Sequence, residues 1–171
     1  NPPFARARSA MVYDDHSKTL VLKLKYQDDT YLAQIFGPWL ASAGKALLAN
    51  SDVIMPVPLY YWRFVGRRYN QSALLAQAIS QQSGVILWVD GLSRIRATRQ
   101  QTGLSRNERN ANVRGAFRIN PRYAEQIKGK SVCLVDDVMT SGATIHACTK
   151  TLIKAGASQV NVLTLARRTY T

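Results

Sequence analysis

The stretch VCLVDDVMTSGAT, Val132 to Thr144, decides how this chain reads. Four largely apolar residues run into two aspartates, and a turn of small residues follows, with hydroxyls on both sides of a glycine. A short apolar run of this kind fits a strand covered on both faces, the usual state in a parallel sheet. Asp136 and Asp137 then fall at the carboxyl end of the strand, where open α/β sheets gather their ligands. Thr140, Ser141, Gly142, Ala143 and Thr144 lead into a helical pattern. Such a turn offers an anion backbone N–H groups, hydroxyls and the positive end of a helix dipole. Gly142 permits close backbone approach and any positive φ the turn demands. The aspartates would repel a bare phosphate, but they suit a ligand with hydroxyls beside its phosphate, because carboxylates accept hydrogen bonds from a cis-diol. Phosphate in the loop and diol on the acids describes a ribose 5-phosphate, and a divalent cation also finds oxygen ligands there. The pattern is neither a Walker A loop nor a G-x-G-x-x-G fingerprint.

Outward from this stretch, ATIHACTKTLIKAGAS reads as a helix stopped by Gly156, and QVNVLTLARR as a final strand. Strand, helix and strand at this spacing make a right-handed βαβ unit. Upstream, SDVIMPVPL reads as a buried strand running into a loop, since Pro56 and Pro58 are excluded from a central ladder. NQSALLAQAISQQSG is an amphipathic helix with Asn70 as its cap and Gly84 as its stop. VILWVDGL reads as another short buried strand and YAEQIKGK as a short helix. The segment after Thr30 is mostly helical, and Leu20, Leu22, Leu24 and Tyr26 alternate as in a strand. The whole pattern is α/β, with one parallel sheet of about five strands in a single domain spanning residues 1–171.

The chain has 171 residues, 46% of them hydrophobic and 19% charged, which is a globular composition. Its apolar runs are far shorter than a membrane span, and no secretory pattern opens it. It begins without Met, and NPPFARARSA reads as sequence from within a longer protein. Cys133 and Cys148 are too few for a zinc ribbon and read as reduced core thiols in a cytoplasmic protein. The net charge is +13, and Arg94 to Arg122 hold eight arginines against one glutamate. Arginine without lysine on one segment points to a polyanionic ligand, because guanidinium forks match phosphate oxygens. This stretch, Arg94–Arg114, is expected to be a long loop, partly helical around Arg106–Asn112.

VCLVDDVMTSGAT resembles the signature of type I phosphoribosyltransferases, which bind 5-phosphoribosyl 1-pyrophosphate (PRPP). PVPLYYWRFVGRRYNQSALLAQAI and RIRATRQQTGLSRNERNANVRGAF are similar to the ComF/GntX-type phosphoribosyltransferase-like family, linked to competence and DNA uptake. The resemblance runs from about Tyr13 to Arg167. It implies a helix at Leu20–Tyr26. It also implies that Asp136 and Asp137 hold the ribose hydroxyls and Thr140–Thr144 the 5-phosphate. Pro58 and Leu59 would then lie near the pyrophosphate, followed by Arg67, Asn70 and Gln71. Thr98, Gln101, Leu104, Arg106, Arg109, Asn112 and Phe117 match a flexible Arg-rich loop that closes over PRPP. Arg68 stands where the family's RGFNQ-like element has glycine, and the usual amino-terminal zinc ribbon is lacking.

The implied reaction is displacement of pyrophosphate from C1 by a nitrogen nucleophile, with Mg²⁺ as cofactor and an unidentified acceptor. His16 and His146 read as helix-face residues, and no general base is identified. Two alternatives keep other partners in view. One is a PRPP-fold adaptor working with a DNA-uptake helicase. The other is a single-stranded DNA binder using the basic loop and Tyr60, Tyr61, Trp62, Phe64 and Tyr69 as stacking surfaces. Two acids beside a phosphate loop weaken polyanion binding, which favours the ribose phosphate reading.

Overall fold

The computed structural model describes residues 2–26, 31–59, 69–97 and 106–169, apart from the side chains of residues 25, 26, 106, 107, 109 and 110. Seven strands and six α-helices alternate along these residues: β1 (Arg6–Val12), α1 (Asp15–Tyr26), α2 (Tyr31–Ala43), α3 (Lys45–Leu48), β2 (Val53–Pro56), α4 (Gln71–Ser83), β3 (Ile86–Leu87), β4 (Leu92–Arg94), α5 (Arg106–Val113), β5 (Phe117–Ile119), β6 (Ser131–Met139), α6 (Ala143–Lys154) and β7 (Gln159–Arg167). Five strands form one parallel sheet in the order β1-β7-β6-β2-β3, while β4 and β5 pair antiparallel as a separate ribbon.

The central strand β6 is apolar on both sides because both sides are covered. Successive side chains of a strand point to opposite faces. Val132 and Leu134 pack with Phe117 and with Ile145, Cys148 and Leu152 of α6. Cys133 and Val135 pack with Phe36 and Leu40 of α2 and with Leu75 and Ile79 of α4. Fully burying side chains of this size contributes roughly 1.5–3 kcal/mol each.

Several sequence expectations change in the structure. Leu20–Tyr26 is helical, as the family resemblance implies: Ser17, Val21 and Leu24 are buried at helical spacing while Leu22 faces out. The start of α1 is fixed by Asp14, whose carboxylate accepts from the backbone N–H groups of His16 and Ser17 at 3.0 and 2.8 Å. The fifth strand is instead β1, which pairs with β7 from Arg6↔Asn161 to Val12↔Arg167.

Pro56 ends β2 inside the sheet, opposite Val135. It is tolerated because β3 pairs only with Val53 and Ile54, so no neighbour needs a donor at Pro56. The stretch at 85–92 is not a buried strand. Only Ile86 and Leu87 pair, Ile86 is exposed at the sheet edge, and Leu92 begins the separate ribbon. The expected helix at 123–130 is a single 3₁₀ turn, Pro121–Tyr123, followed by turns. Asn120 caps it by accepting from Arg122 N–H.

Candidate active site

The chain leaves β2 toward α4 on one face of the sheet and leaves β6 toward α6 on the other. Neighbouring strands whose connections diverge in this way open a crevice at their carboxyl ends, the usual ligand position in open α/β sheets. Pro58, buried, and Leu59, half-buried, form its β2 side. Asp136 and Asp137 form its β6 side, inside a strand that continues to Met139.

Asn70 ties the two walls together. Its side-chain oxygen accepts from Ser72 N–H at 3.0 Å, capping α4, while its Nδ2 donates to the Val57 carbonyl at 3.1 Å. With the cap fixed, the next two residues reach the acids. Gln71 Nε2 donates to Asp137 Oδ2 at 2.8 Å, and Ser72 Oγ donates to Asp136 Oδ1 at 2.9 Å. Asp136 Oδ1 also accepts from Asp137 N–H at 2.9 Å, and Asp137 Oδ1 accepts from Val138 N–H. Asp137 is almost fully buried and Asp136 is half-buried. Both side-chain donors are neutral groups, to which a carboxylate is a natural acceptor.

Beyond Met139 the chain turns through Thr140, Ser141 and Gly142 into α6. Gly142 adopts φ 76°, the left-handed conformation open to glycine, and caps the helix without a side-chain bond. Ala143 is buried, and Thr140 and Thr144 are half-buried. Two buried polar atoms in this crevice have no protein partner, Ser141 Oγ in the turn and Gln71 Oε1 beside Asp137. A buried hydroxyl or amide oxygen left unpaired costs about 1–3 kcal/mol, so both atoms fit a ligand that supplies partners.

Burial pushes the Cys148 thiol well up, the charge of Asp136 adds to this, and the charge of Arg94 opposes it. Arg94 on β4 places its guanidinium 5.4 Å from the Phe117 ring. Arg96 Nη2 donates to the carbonyls of Asn112 and Arg114 at 3.0 and 2.7 Å, joining the two ends of the Arg-rich segment. Cys133 and Cys148 are both free and buried, as core thiols.

The crevice thus gathers Pro58, Leu59, Asn70, Gln71, Asp136, Asp137 and the turn Thr140–Thr144. Arg67, Thr98, Gln101 and Leu104, the aromatics from Tyr60 to Phe64, and Arg68 lie outside the described residues. Arg106 and Arg109 lie on α5, which packs against α6, and Asn112 is half-buried near its end. Phe117 is a core residue of β5 and does not belong to a loop. Gln71 stands on Asp137. Ser72 and Arg94 do not stand out in the sequence: Ser72 looks like an ordinary first-turn residue, and Arg94 is one of many arginines. Among the described residues no helix is long and apolar enough to cross a membrane, and no cluster of three or more potential metal-ligating side chains occurs.

A family model described as the phosphoribosyl transferase domain matches residues 69–170. The chain is 31% identical over 160 residues to Competence protein F of Haemophilus influenzae, covering 91% of this chain and 69% of that protein. It is 31% identical over 173 residues to the DNA utilization protein YhgH of Salmonella typhimurium, covering 97% of this chain and 74% of that protein. Among solved structures, the glutamine PRPP amidotransferase from B. subtilis superposes with a TM-score of 0.56 at 20% identity, over 83% of this chain and 30% of that one. The allosteric regulatory enzyme of purine biosynthesis gives a TM-score of 0.55 at 18% identity, over 84% of this chain and 30% of that one. These two structures share the fold of this chain.

Proposed function

Because this chain belongs to the ComF-type phosphoribosyltransferase-like family, we propose that it binds PRPP with Mg²⁺ and transfers the phosphoribosyl group to a nitrogen nucleophile. The observation that carries this reading is the pairing of two adjacent carboxylates on β6, tied to the first turn of α4, with a left-handed glycine turn whose buried Ser141 hydroxyl lacks a partner. Asp136 and Asp137 accept the ribose hydroxyls. The turn Thr140–Thr144 donates backbone N–H groups and hydroxyls to the 5-phosphate, helped by the dipole of α6.

The donor set suits Mg²⁺ held by few protein oxygens. Mg²⁺ keeps waters and substrate phosphates with only one or two carboxylates, and the crevice supplies Asp136, Asp137 and the unpartnered Gln71 Oε1. A Mg²⁺ ion held there would neutralise charge on the leaving group. The nitrogen lone pair forms the new bond to C1 as the C1–oxygen bond breaks, and pyrophosphate departs with that electron pair. Arg106 and Arg109 on α5 stabilise the departing charge. The ribose contacts fix C1 in place and so lower the entropic part of the barrier.

Calorimetric titration with PRPP, with and without Mg²⁺ and at two salt concentrations, tests this reading. Saturable Mg²⁺-dependent binding is expected, lost in Asp136→Asn with Asp137→Asn although the protein stays folded. Arg106→Ala with Arg109→Ala is expected to weaken PRPP more than ribose 5-phosphate. A folded double-asparagine variant that keeps its affinity for ribose 5-phosphate would overturn the site. Pyrophosphate release in a screen of nitrogen nucleophiles then identifies the acceptor.

A second reading is favoured by the names of the relatives, Competence protein F and DNA utilization protein. In it the ribose phosphate site serves a non-catalytic component of DNA uptake in the cytoplasm, acting with single-stranded DNA and a helicase. PRPP binding without pyrophosphate release across the nucleophile screen would move this reading to the front.

A further inference from the structure

A groove of about 930 Å³ lies along the outer side of α6, between that helix and the stretch from the end of α5 through β5. Its floor is small and apolar, with Ala147 on the helix side. Arg114 and Arg118 line one wall, and Lys150 and Lys154, one helical turn apart, line the other. All four cations are exposed, no acidic residue among the described residues lines the groove, and none of the four forms an ion pair with a described residue.

Like charges at i and i+4 repel, by roughly 0.2–0.5 kcal/mol on an isolated helix. Lys150 and Lys154 accept that cost and also face two guanidinium groups across the groove. A structural role would be better met by an acid on one wall. At about 1.5 Å per residue the twelve residues of α6 run about 18 Å. The groove is therefore long enough for several phosphates in a row, and its volume falls within the range of small-ligand sites. Its upper end reaches Ala143 of the phosphate turn and His146, so it opens beside that turn and runs away from it along α6 to Ala155.

We infer that this groove is a second anion site, taking the phosphate chain of a nucleotide: arginine and lysine walls bind the phosphates, and the apolar floor receives the sugar and base. The inference does not depend on the ribose phosphate reading. A free nucleoside polyphosphate and an oligonucleotide present the same chemistry, and the probes separate them.

Fluorescence anisotropy with labelled ATP and with a labelled ten-residue deoxythymidine oligonucleotide, at several salt concentrations, tests the site. The proteins are the wild-type chain, Lys150→Ala with Lys154→Ala, Arg114→Ala with Arg118→Ala, and Asp136→Asn with Asp137→Asn. These four cations are exposed, so the variants should fold, which circular dichroism checks. Either pair of cation substitutions is expected to weaken the bound probe at least about tenfold. For the oligonucleotide the slope of log K against log salt should fall by about 1.4, since each phosphate no longer neutralised removes about 0.7. The asparagine variant should retain groove binding. The probe that binds identifies the source of the phosphates. No binding by either probe, wild-type affinity in both cation pairs, or loss confined to the asparagine variant would overturn the inference.

Discussion

Gln71 Nε2 lies 2.8 Å from Asp137 Oδ2, joining the first turn of α4 to the end of β6 across 66 positions of sequence. The bond holds a buried carboxylate with a neutral donor, and it leaves the amide's own oxygen facing the crevice without a partner. Gln71→Leu would remove a donor from a nearly buried carboxylate. We expect a loss of about 1–3 kcal/mol of stability in urea unfolding, together with weaker binding of ribose 5-phosphate. Unchanged stability would show that Asp137 finds another donor.

Gly142 sits at φ 76°, where an L side chain costs about 1–2 kcal/mol, and a β-carbon there would come 3.3 Å from His146 Nε2. Gly142→Ala should lower stability by about that amount and abolish ribose 5-phosphate binding, because relieving the strain turns the N–H groups of the loop. Full binding by the alanine variant would mean that the turn does not form the phosphate cradle.

Gly37 in α2 has no room for a methyl group, since its β-carbon would lie 2.6 Å from the β-carbon of Ala78 on α4. Alanine improves helix propensity by about 0.5–1 kcal/mol. Overpacking two helices costs about 1–3 kcal/mol, so the net effect of Gly37→Ala should be destabilising. Thermal unfolding will give the sign directly.

Burial pushes the Cys133 thiol up to about 12 and raises Cys148 well above its ordinary range. The unfolded chain releases these protons near pH 9 while the folded chain keeps them. Stability should therefore be intact below pH 9 and fall as pH rises from about 9 towards 12. Replacing both cysteines by alanine should make this alkaline decline shallower, whatever its effect at neutral pH. Native thiols should also resist a thiol reagent at pH 8 and react only on unfolding.

The core of the site is legible in the sequence because the relevant residues are adjacent. Asp136 to Thr144 form one run, and Asn70 declares itself as a cap by its place before an amphipathic helix. What stays hidden depends on contacts distant in sequence. Ser72 matters only because Asp136 lies across the crevice. The strand at Arg6–Val12 is hard to see because its arginines mask the alternation. It is an edge strand with a mixed burial pattern, recognised only through β7. Leu20–Tyr26 misleads for the opposite reason: a short run of alternate leucines satisfies period two by accident, while Ser17, Val21 and Leu24 carry the helical burial.

The pairing of β1 with β7 also bears on how the molecule is made. Ser9 and Thr164 share a hydroxyl bond at 2.7 Å across a separation of 155 positions. A ribosome releases β1 early, yet its partner emerges only after β2, β3 and β6 have been synthesised. Contacts of such separation form slowly because a long loop must close first. β1 therefore stays unpaired in the nascent chain until β7 has been made. A holdase that shields it should raise the yield of soluble protein more than one acting after release.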